Sequence, residues 1–205
     1  MMRYYNSYIM ESGGDEFEKT VAERLRALRA ERGLTLDALA DLSGVSRAMI
    51  SRVERAEASP TAALLARLCS ALGVSLSVFF DTKTRKASPL ARRADQPVWR
   101  DPDSGYLRRA VSSPTGTGAG SGSAVDIIEV EFPAGAEVRF PGRLTRRNQT
   151  QHVWVFDGEI VMTVGEEVHH LSAGDCLFMN VADVHGYRNP GTVAARYAVV
   201  INLGS

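Results

Sequence analysis

Apolar residues recur every three or four positions along the first eighty residues of the chain, and every second position from Val125 onward. Those two periods predict helices in front and strands behind. Phe17, Val21, Leu25 and Leu28 mark one face of a first helix, with Asp15 as its N-cap, Glu18 completing a capping box, and Gly33 ending it. Thr35 caps a second helix, Leu36 to Ser43, which Gly44 stops, and Ser46 caps a third that runs to about Ala56. Ser59-Pro60-Thr61 opens a fourth, with Leu64, Leu68 and Leu72 on one face and Gly73 at its end. Ser75 caps a short fifth containing Leu76 and Phe79. Five short helices joined by very short turns predict a compact all-α unit.

In the second half, Ile128, Val130 and Phe132 alternate with Glu129 and Glu131. The segments His152–Phe156, Glu159–Val164, Cys176–Met179 and Arg196–Ile201 are rich in Val, Ile, Met and aromatics, and Gly-, Asp- and Pro-containing turns separate them. Many short strands at this spacing predict an antiparallel sandwich or barrel. Between the two halves, Thr82 to Pro97 has five cations, two prolines and almost no large apolar residue, which predicts a linker. A Gly/Ser-rich stretch, Ser112 to Ala124, predicts a mobile loop inside the second domain. The expected organisation is a tail over 1–14, a helical domain over 15–81, a linker over 82–97 and a β domain over 98–205.

The formal net charge is zero, but it is unevenly spread. Through Arg93, 15 Lys and Arg stand against 11 Asp and Glu; after it, 9 stand against 13. A basic front half is compatible with a nucleic-acid partner, although many helical domains carry such a charge. No apolar run approaches the roughly 20 residues that span a bilayer, so no membrane partner is expected. The first residues have neither the continuous apolar core nor the cleavage site of a secretory signal. Cys69 and Cys176 are far apart and are expected to be two small buried residues in a reducing cytoplasm rather than a disulfide.

Within the helical half, Ala40 is small where two helices must cross, Gly44 permits a left-handed turn, and Val45, Ile50 and Val53 fill the wedge between the helices. The segment LTLDALADLSGVSRAMISRVERAEASPTAALLARLCSALGVSLSVFF resembles the lambda-repressor-like, or XRE, helix-turn-helix family, over about Phe17 to Phe80. The resemblance implies a DNA-binding domain whose recognition helix is Ser46 to Ala56. On the family's pattern Arg47, Ala48, Met49 and, one turn later, Arg52 face the bases. An arginine grips guanine O6 and N7, and Ala48 or Met49 meets a thymine methyl. Thr35, Ser46 and Ser51 are candidates for phosphate contacts. The alternatives are a solvated face for the two arginines and capping alone for Thr35 and Ser46. Where the family often has Gly, this chain has Ala56, so the exit from the recognition helix is expected to differ.

The segment Gly174 to Gly191 resembles the second motif of the cupin family, G-x5-P-x-G-x2-H-x3-N. Gly174, His185 and Asn189 match, while Asn180 and Ala182 replace Pro and Gly. In the first motif, H-x-H-x3–4-E-x6-G, Gly158 matches but Gln151 stands at the glutamate position. The two histidine positions fall on Leu144 and Arg146, or on Thr145 and Arg147. The resemblance implies a double-stranded β-helix, or jelly-roll, barrel. Of the four ligands a metallo-cupin needs, only His185 is present, so neither metal nor cofactor is expected. For His185 a core histidine, a polar anchor and a metal ligand are the three readings. The replacements point instead to a pocket for a small anion. Arg146 or Arg147 supplies the charge, Gln151, His185 and Asn189 the polar groups, and Val153, Val155 and Tyr187 the apolar walls. The alternative is a barrel filled by its own side chains.

Together these readings describe a regulator that binds double-stranded DNA as a homodimer, without catalytic residues, and whose cupin domain takes a small-molecule effector. Two alternatives stand beside it: a mononuclear metal-dependent cupin oxidase or epoxidase fused to a helix-turn-helix domain, and a DNA-binding protein whose cupin only dimerises.

Overall fold

The computed structural model describes residues 14–74, 76–80, 90–112, 125–140, 149–181 and 184–202, apart from the side chains of 14–17, 77 and 78. Contacts divide the chain after Ser59 into two units. The first contains α1 (Gly14–Glu31), α2 (Leu36–Ser43) and α3 (Arg47–Glu54). α1 begins at Gly14 and so takes Asp15 into the helix, two residues earlier than a cap at Asp15 predicts. The other caps form locally. The Thr35 hydroxyl accepts from the Ala38 amide at 3.1 Å, and the Ser46 hydroxyl accepts from the Met49 amide at 3.3 Å. Between them Gly44 ends α2 in the left-handed region, φ 63°, where a side chain would be strained. Leu25, Leu39, Ile50 and Val53 are buried between the three helices. Such side chains stabilise by roughly 1.5–3 kcal/mol each.

A charged pair that sequence periodicity does not reveal closes this unit. Arg29 of α1 forks onto the Glu54 carboxylate at the end of α3, with Nε–Oε1 at 2.6 Å and Nη2–Oε2 at 2.8 Å. Its remaining Nη1 donates to the Leu34 carbonyl at 2.9 Å. The hydrogen bonds that Arg29 donates to Glu54 raise its pKa against the opposing effect of burial. Glu54 is itself buried, so the pair clamps the tail of α3 to α1.

The second unit contains α4 (Ala62–Ala71), α5 (Leu76–Phe80) and all the strands. Four of the described helices have eight residues or more, and α5 is little over one turn. Thr61 caps α4 by accepting from the Leu64 amide at 3.3 Å; Ser75, the expected cap of α5, lies outside the described residues. A sequence boundary near residue 81 does not anticipate that α4 and α5 group with the strands. One reason is a second cap: the buried Asp101 carboxylate accepts from the Ala62 amide at 2.7 Å.

In chain order the strands are β1 (Val98–Arg100), β2 (Leu107–Ala110), β3 (Val125–Phe132), β4 (Glu137–Phe140), β5 (Thr150–Asp157), β6 (Glu159–Val164), β7 (Glu167–Ser172), β8 (Cys176–Asn180), β9 (His185–Arg188) and β10 (Ala195–Asn202). They form a six-stranded sheet, β1-β2-β3-β10-β5-β8, and a four-stranded sheet, β4-β9-β6-β7, rather than one closed ring. Every described pairing is antiparallel. Alternation turns Gln151, Val153 and Val155 of β5 inward and His152 and Trp154 outward. The two sheets meet face to face through their aromatics, as where Tyr187 of β9 stacks on Tyr197 of β10 at 5.8 Å.

The tight turn from β5 to β6 needs Gly158. Its φ is 75°, and a Cβ there would stand 2.9 Å from the Ala195 backbone. Of the expected linker, residues 82–89 are not described. Residues 90–97 are largely exposed but touch the larger sheet at points: Arg93 pairs with Glu129 of β3 at 3.3 Å, and the Pro97 carbonyl accepts from the Ala110 amide of β2 at 3.0 Å. Most of the expected Gly/Ser-rich loop, residues 113–124, is also outside the description. Cys69 is buried as expected, but Cys176 is exposed, because it falls on the outward phase of edge strand β8.

Candidate functional site

The first candidate site is the exposed face of α3. Ser46, Arg47, Ala48 and Arg52 are exposed, Met49 and Ser51 half-buried, and Ile50 and Val53 buried. Helical spacing puts Ala48 and Arg52 one turn apart on one face, with Arg47 and Met49 flanking them. Arg47 pairs with Asp37 of α2 at 3.1 Å, but both side chains are about two-thirds or more exposed, at 65% and 73%. Such a pair is weak in water and can exchange for another anion. Thr35 is exposed at the start of α2, and its hydroxyl is used in the cap, as is that of Ser46. Ser51 accepts from Arg55, whose guanidinium also forks onto Glu57. Ala56, at the exit, has φ 57° and is the one described non-glycine residue in the left-handed region. The expected difference at this position is therefore one of strain: the backbone takes the conformation a glycine would prefer.

The second candidate site is a cavity of about 90 Å³ between the sheets, closed on one side by Ala66 of α4 and Leu76 of α5. Three of the expected pocket residues line it: Gln151, His185 and Tyr187. Gln151 Nε2 donates to the Tyr187 hydroxyl at 2.9 Å and to the Met179 sulfur at 3.2 Å. His185 lies over Phe140, with ring centroids 5.4 Å apart. Burial pushes the Tyr187 hydroxyl well above the ordinary tyrosine pKa, partly offset by the Gln151 hydrogen bond, so it stays protonated. Tyr106 and Tyr197 are raised in the same way, again chiefly by burial.

Other expected pocket residues fall elsewhere. Val153 and Val155 share the inward face of β5 and are fully buried, but they do not line the cavity. Asn189 is a clamp rather than a wall. Its Nδ2 donates to the carbonyls of Phe132 and Val193, at 3.0 and 2.8 Å, and its Oδ1 accepts from the Gly191 amide at 2.9 Å. With those contacts it holds the turn after β9 and has little capacity left for a ligand. Arg146 and Arg147 lie outside the described residues.

The charged group that the structure does place in the cavity wall is Arg108 of β2, only 5% exposed, with its Cζ 5.4 Å from the Phe80 ring centroid. No family motif marks it. The signal was local: in a strand, the adjacent Arg108 and Arg109 must take opposite faces, so one points inward. None of the described lining residues is acidic. A cupin-type divalent metal does not fit this donor set of one histidine, two glutamines and a guanidinium. Among the described residues no group of three or more His, Cys, Asp or Glu is placed to hold a metal ion. No described helix is long and apolar enough to cross a membrane.

The helix-turn-helix family model matches residues 25–79 and the cupin domain model matches residues 129–201. Over 195 residues the chain is 25% identical to the HTH-type transcriptional regulator SutR of Escherichia coli, covering 92% of this chain and 97% of that protein. It is 26% identical over 167 residues to the HTH-type transcriptional regulator PuuR of the same organism, covering 82% and 86%. A crystal structure of an HTH_3 family transcriptional regulator from Vibrio cholerae superimposes with a TM-score of 0.74 at 26% identity, covering 92% of this chain and 98% of that one. The matched stretches contain the α2–α3 turn in front and the Gln151–Tyr187 cavity behind. The chain thus belongs with the XRE-type helix-turn-helix transcriptional regulators that carry a C-terminal cupin domain.

Proposed function

We propose that this regulator acts in the cytoplasm as a homodimer that reads double-stranded DNA with α3, and that its cupin cavity senses a small effector rather than catalysing a reaction. The observation that carries the reading is the pairing of an exposed, arginine-bearing α3 after a capped turn with a cavity of mixed polar and apolar lining in the other unit. Arg47 and Arg52 contact base edges, and Ala48 and Met49 meet apolar base surface. Thr35 and Ser46, at the caps of α2 and α3, and Ser51, in the second turn of α3, approach phosphates. The effector rests among Gln151, His185 and Tyr187. The metal-poor donor set of the cavity favours sensing over the oxidase alternative.

Dimerisation is proposed on two grounds. One recognition helix reads too few base pairs to find a site alone, and a two-fold pair of half-sites multiplies its specificity. On the outer face of the six-stranded sheet, the cross-strand partners Ile127, Val200, His152 and Phe178 form a partly exposed row, apolar apart from the imidazole, that runs to edge strand β8. Such a row at an open sheet edge fits a self-complementary contact.

The test is a binding titration of operator against random DNA, with light scattering at micromolar protein. Arg52→Ala and Arg47→Ala are expected to weaken operator binding about ten- to a hundredfold while leaving random DNA nearly unaffected. Equal loss on both DNAs would reduce that arginine to a phosphate contact. An unchanged affinity would remove α3 from the groove, and a monomer in scattering would remove the dimer.

A further inference from the structure

We propose that the cupin cavity is a site for a small monocarboxylate, with its charge on Arg108 and its apolar body against the walls that include Ala66 and Leu76, so that α4 and α5 sense occupancy directly. The proposal rests on the sensor reading above and adds the sign of the ligand, its anchor and the elements that respond.

The sign follows from the wall. Arg108 is a buried guanidinium, always protonated, and no described residue lining the cavity is acidic. A cation would meet a like charge in a low-dielectric space, whereas a carboxylate would gain a charge-assisted contact there. The neutral groups fit the same choice. Gln151 donates into the Tyr187 hydroxyl, leaving the phenol proton to be donated onward. Tyr106 keeps its proton as well, since burial disfavours the phenolate. Carboxylate oxygens accept from donors of both kinds.

Size limits the body. A volume of about 90 Å³ holds several times the space one water needs, yet is well below the roughly 300–1,000 Å³ of sites for drug-sized ligands. Apart from Gln149 and His185, the rest of the wall is Ile, Val, Phe and Tyr, which suits a short hydrocarbon better than a second charge. That composition favours butyrate-like acids over inorganic phosphate.

The responding elements follow from three contacts. Ala66 and Leu76 form part of the cavity wall. The Arg108 guanidinium lies over the Phe80 ring of α5, and Phe80 packs on Trp99 of β1 with ring centroids 5.5 Å apart. Asp101, in the turn after β1, caps the first amide of α4. A carboxylate drawing on Arg108 therefore acts on the group that stacks on α5, beside the strand whose turn holds the start of α4.

The experiment uses the full chain and three isosteric probes: butyrate, butyramide and butylamine, with inorganic phosphate as a fourth. Calorimetry is expected to show butyrate binding, butyramide about tenfold weaker or more, and no binding of butylamine or phosphate. Arg108→Gln, checked for its fold by circular dichroism, is expected to lose the preference for butyrate over butyramide. If that variant does not fold, the order of the four probes on the native chain decides. In the same samples butyrate is expected to shift operator affinity about fivefold or more. Equal binding of butyrate and butyramide, binding of butylamine, tighter binding of phosphate, or no binding of butyrate would each overturn the proposal. Butyramide binding as tightly as butyrate and still shifting DNA affinity would overturn the anion site and leave the sensor reading standing. Intact DNA binding unmoved by every probe would remove both.

Discussion

The α2–α3 turn and the cupin cavity place polar side chains in opposite surroundings, and the contrast explains how each can work. On α3 the side chains of the candidate face are exposed, Arg47 at 65%, and their positions come from caps and apolar contacts within one short stretch of chain. Water screens them, so the Arg47–Asp37 pair holds little energy and the arginine is free to take a different anion. In the cavity, Arg108, Gln151, His185 and Tyr187 are buried, and they come from β2, β5 and β9. Each is held by a neighbour before any ligand arrives. Low dielectric makes those contacts strong and makes a mismatched ligand costly. An exposed site selects by what it can reach, and a buried one by what it can tolerate.

The largest expected effect tests whether burial, rather than domain, sets this difference. The Arg29–Glu54 fork lies in the helical unit but is largely buried. Glu54→Ala is expected to destabilise by about 3–5 kcal/mol, because it leaves a guanidinium without its counter-charge. Arg29→Met combined with Glu54→Leu is expected to restore most of that loss. Urea denaturation reads both. A Glu54→Ala midpoint equal to the native one would place the fork with the surface pairs.

A smaller effect probes the cavity side. Tyr106, Tyr187 and Tyr197 have their pKa values raised above the ordinary 10.0 by burial. In the unfolded chain these phenols ionise near pH 10, while in the folded chain they retain their protons. Above that pH the unfolded state binds fewer protons, so stability, complete below about pH 10, falls as pH rises. The slope is about 1.4 kcal/mol per pH unit for each such tyrosine. Tyr187→Phe is expected to remove one such contribution, and a slope unchanged in that variant would show that Tyr187 ionises freely in the fold.

The smallest effect sharpens the reading of the helical unit. Ala56 occupies the left-handed region at φ 57°, so Ala56→Gly is expected to stabilise by about 1 kcal/mol. Gly44→Ala, at φ 63° in the turn, is expected to destabilise by a similar amount. Thermal melts of the two variants should move in opposite directions. A drop in both would mean that the flexibility of the unfolded chain outweighs the strain in the folded one.

Sequence periodicity and caps already determined the helical unit and the main strands. Thr35 and Ser46 cap where they were expected, Gly44 turns, and Gln151, Val153 and Val155 share a face, because caps and alternation depend on neighbours within a few residues. Two family motifs were also legible, since a glycine such as Gly158 answers to one close backbone approach. Only the tertiary structure decided which polar groups meet. It placed Arg108 in the cavity wall, turned Asn189 into a turn clamp, exposed Cys176 and forked Arg29 onto Glu54. Each of those outcomes rests on strands or helices far apart in sequence. A local pattern can say that a residue points inward, but it cannot say what it will find there.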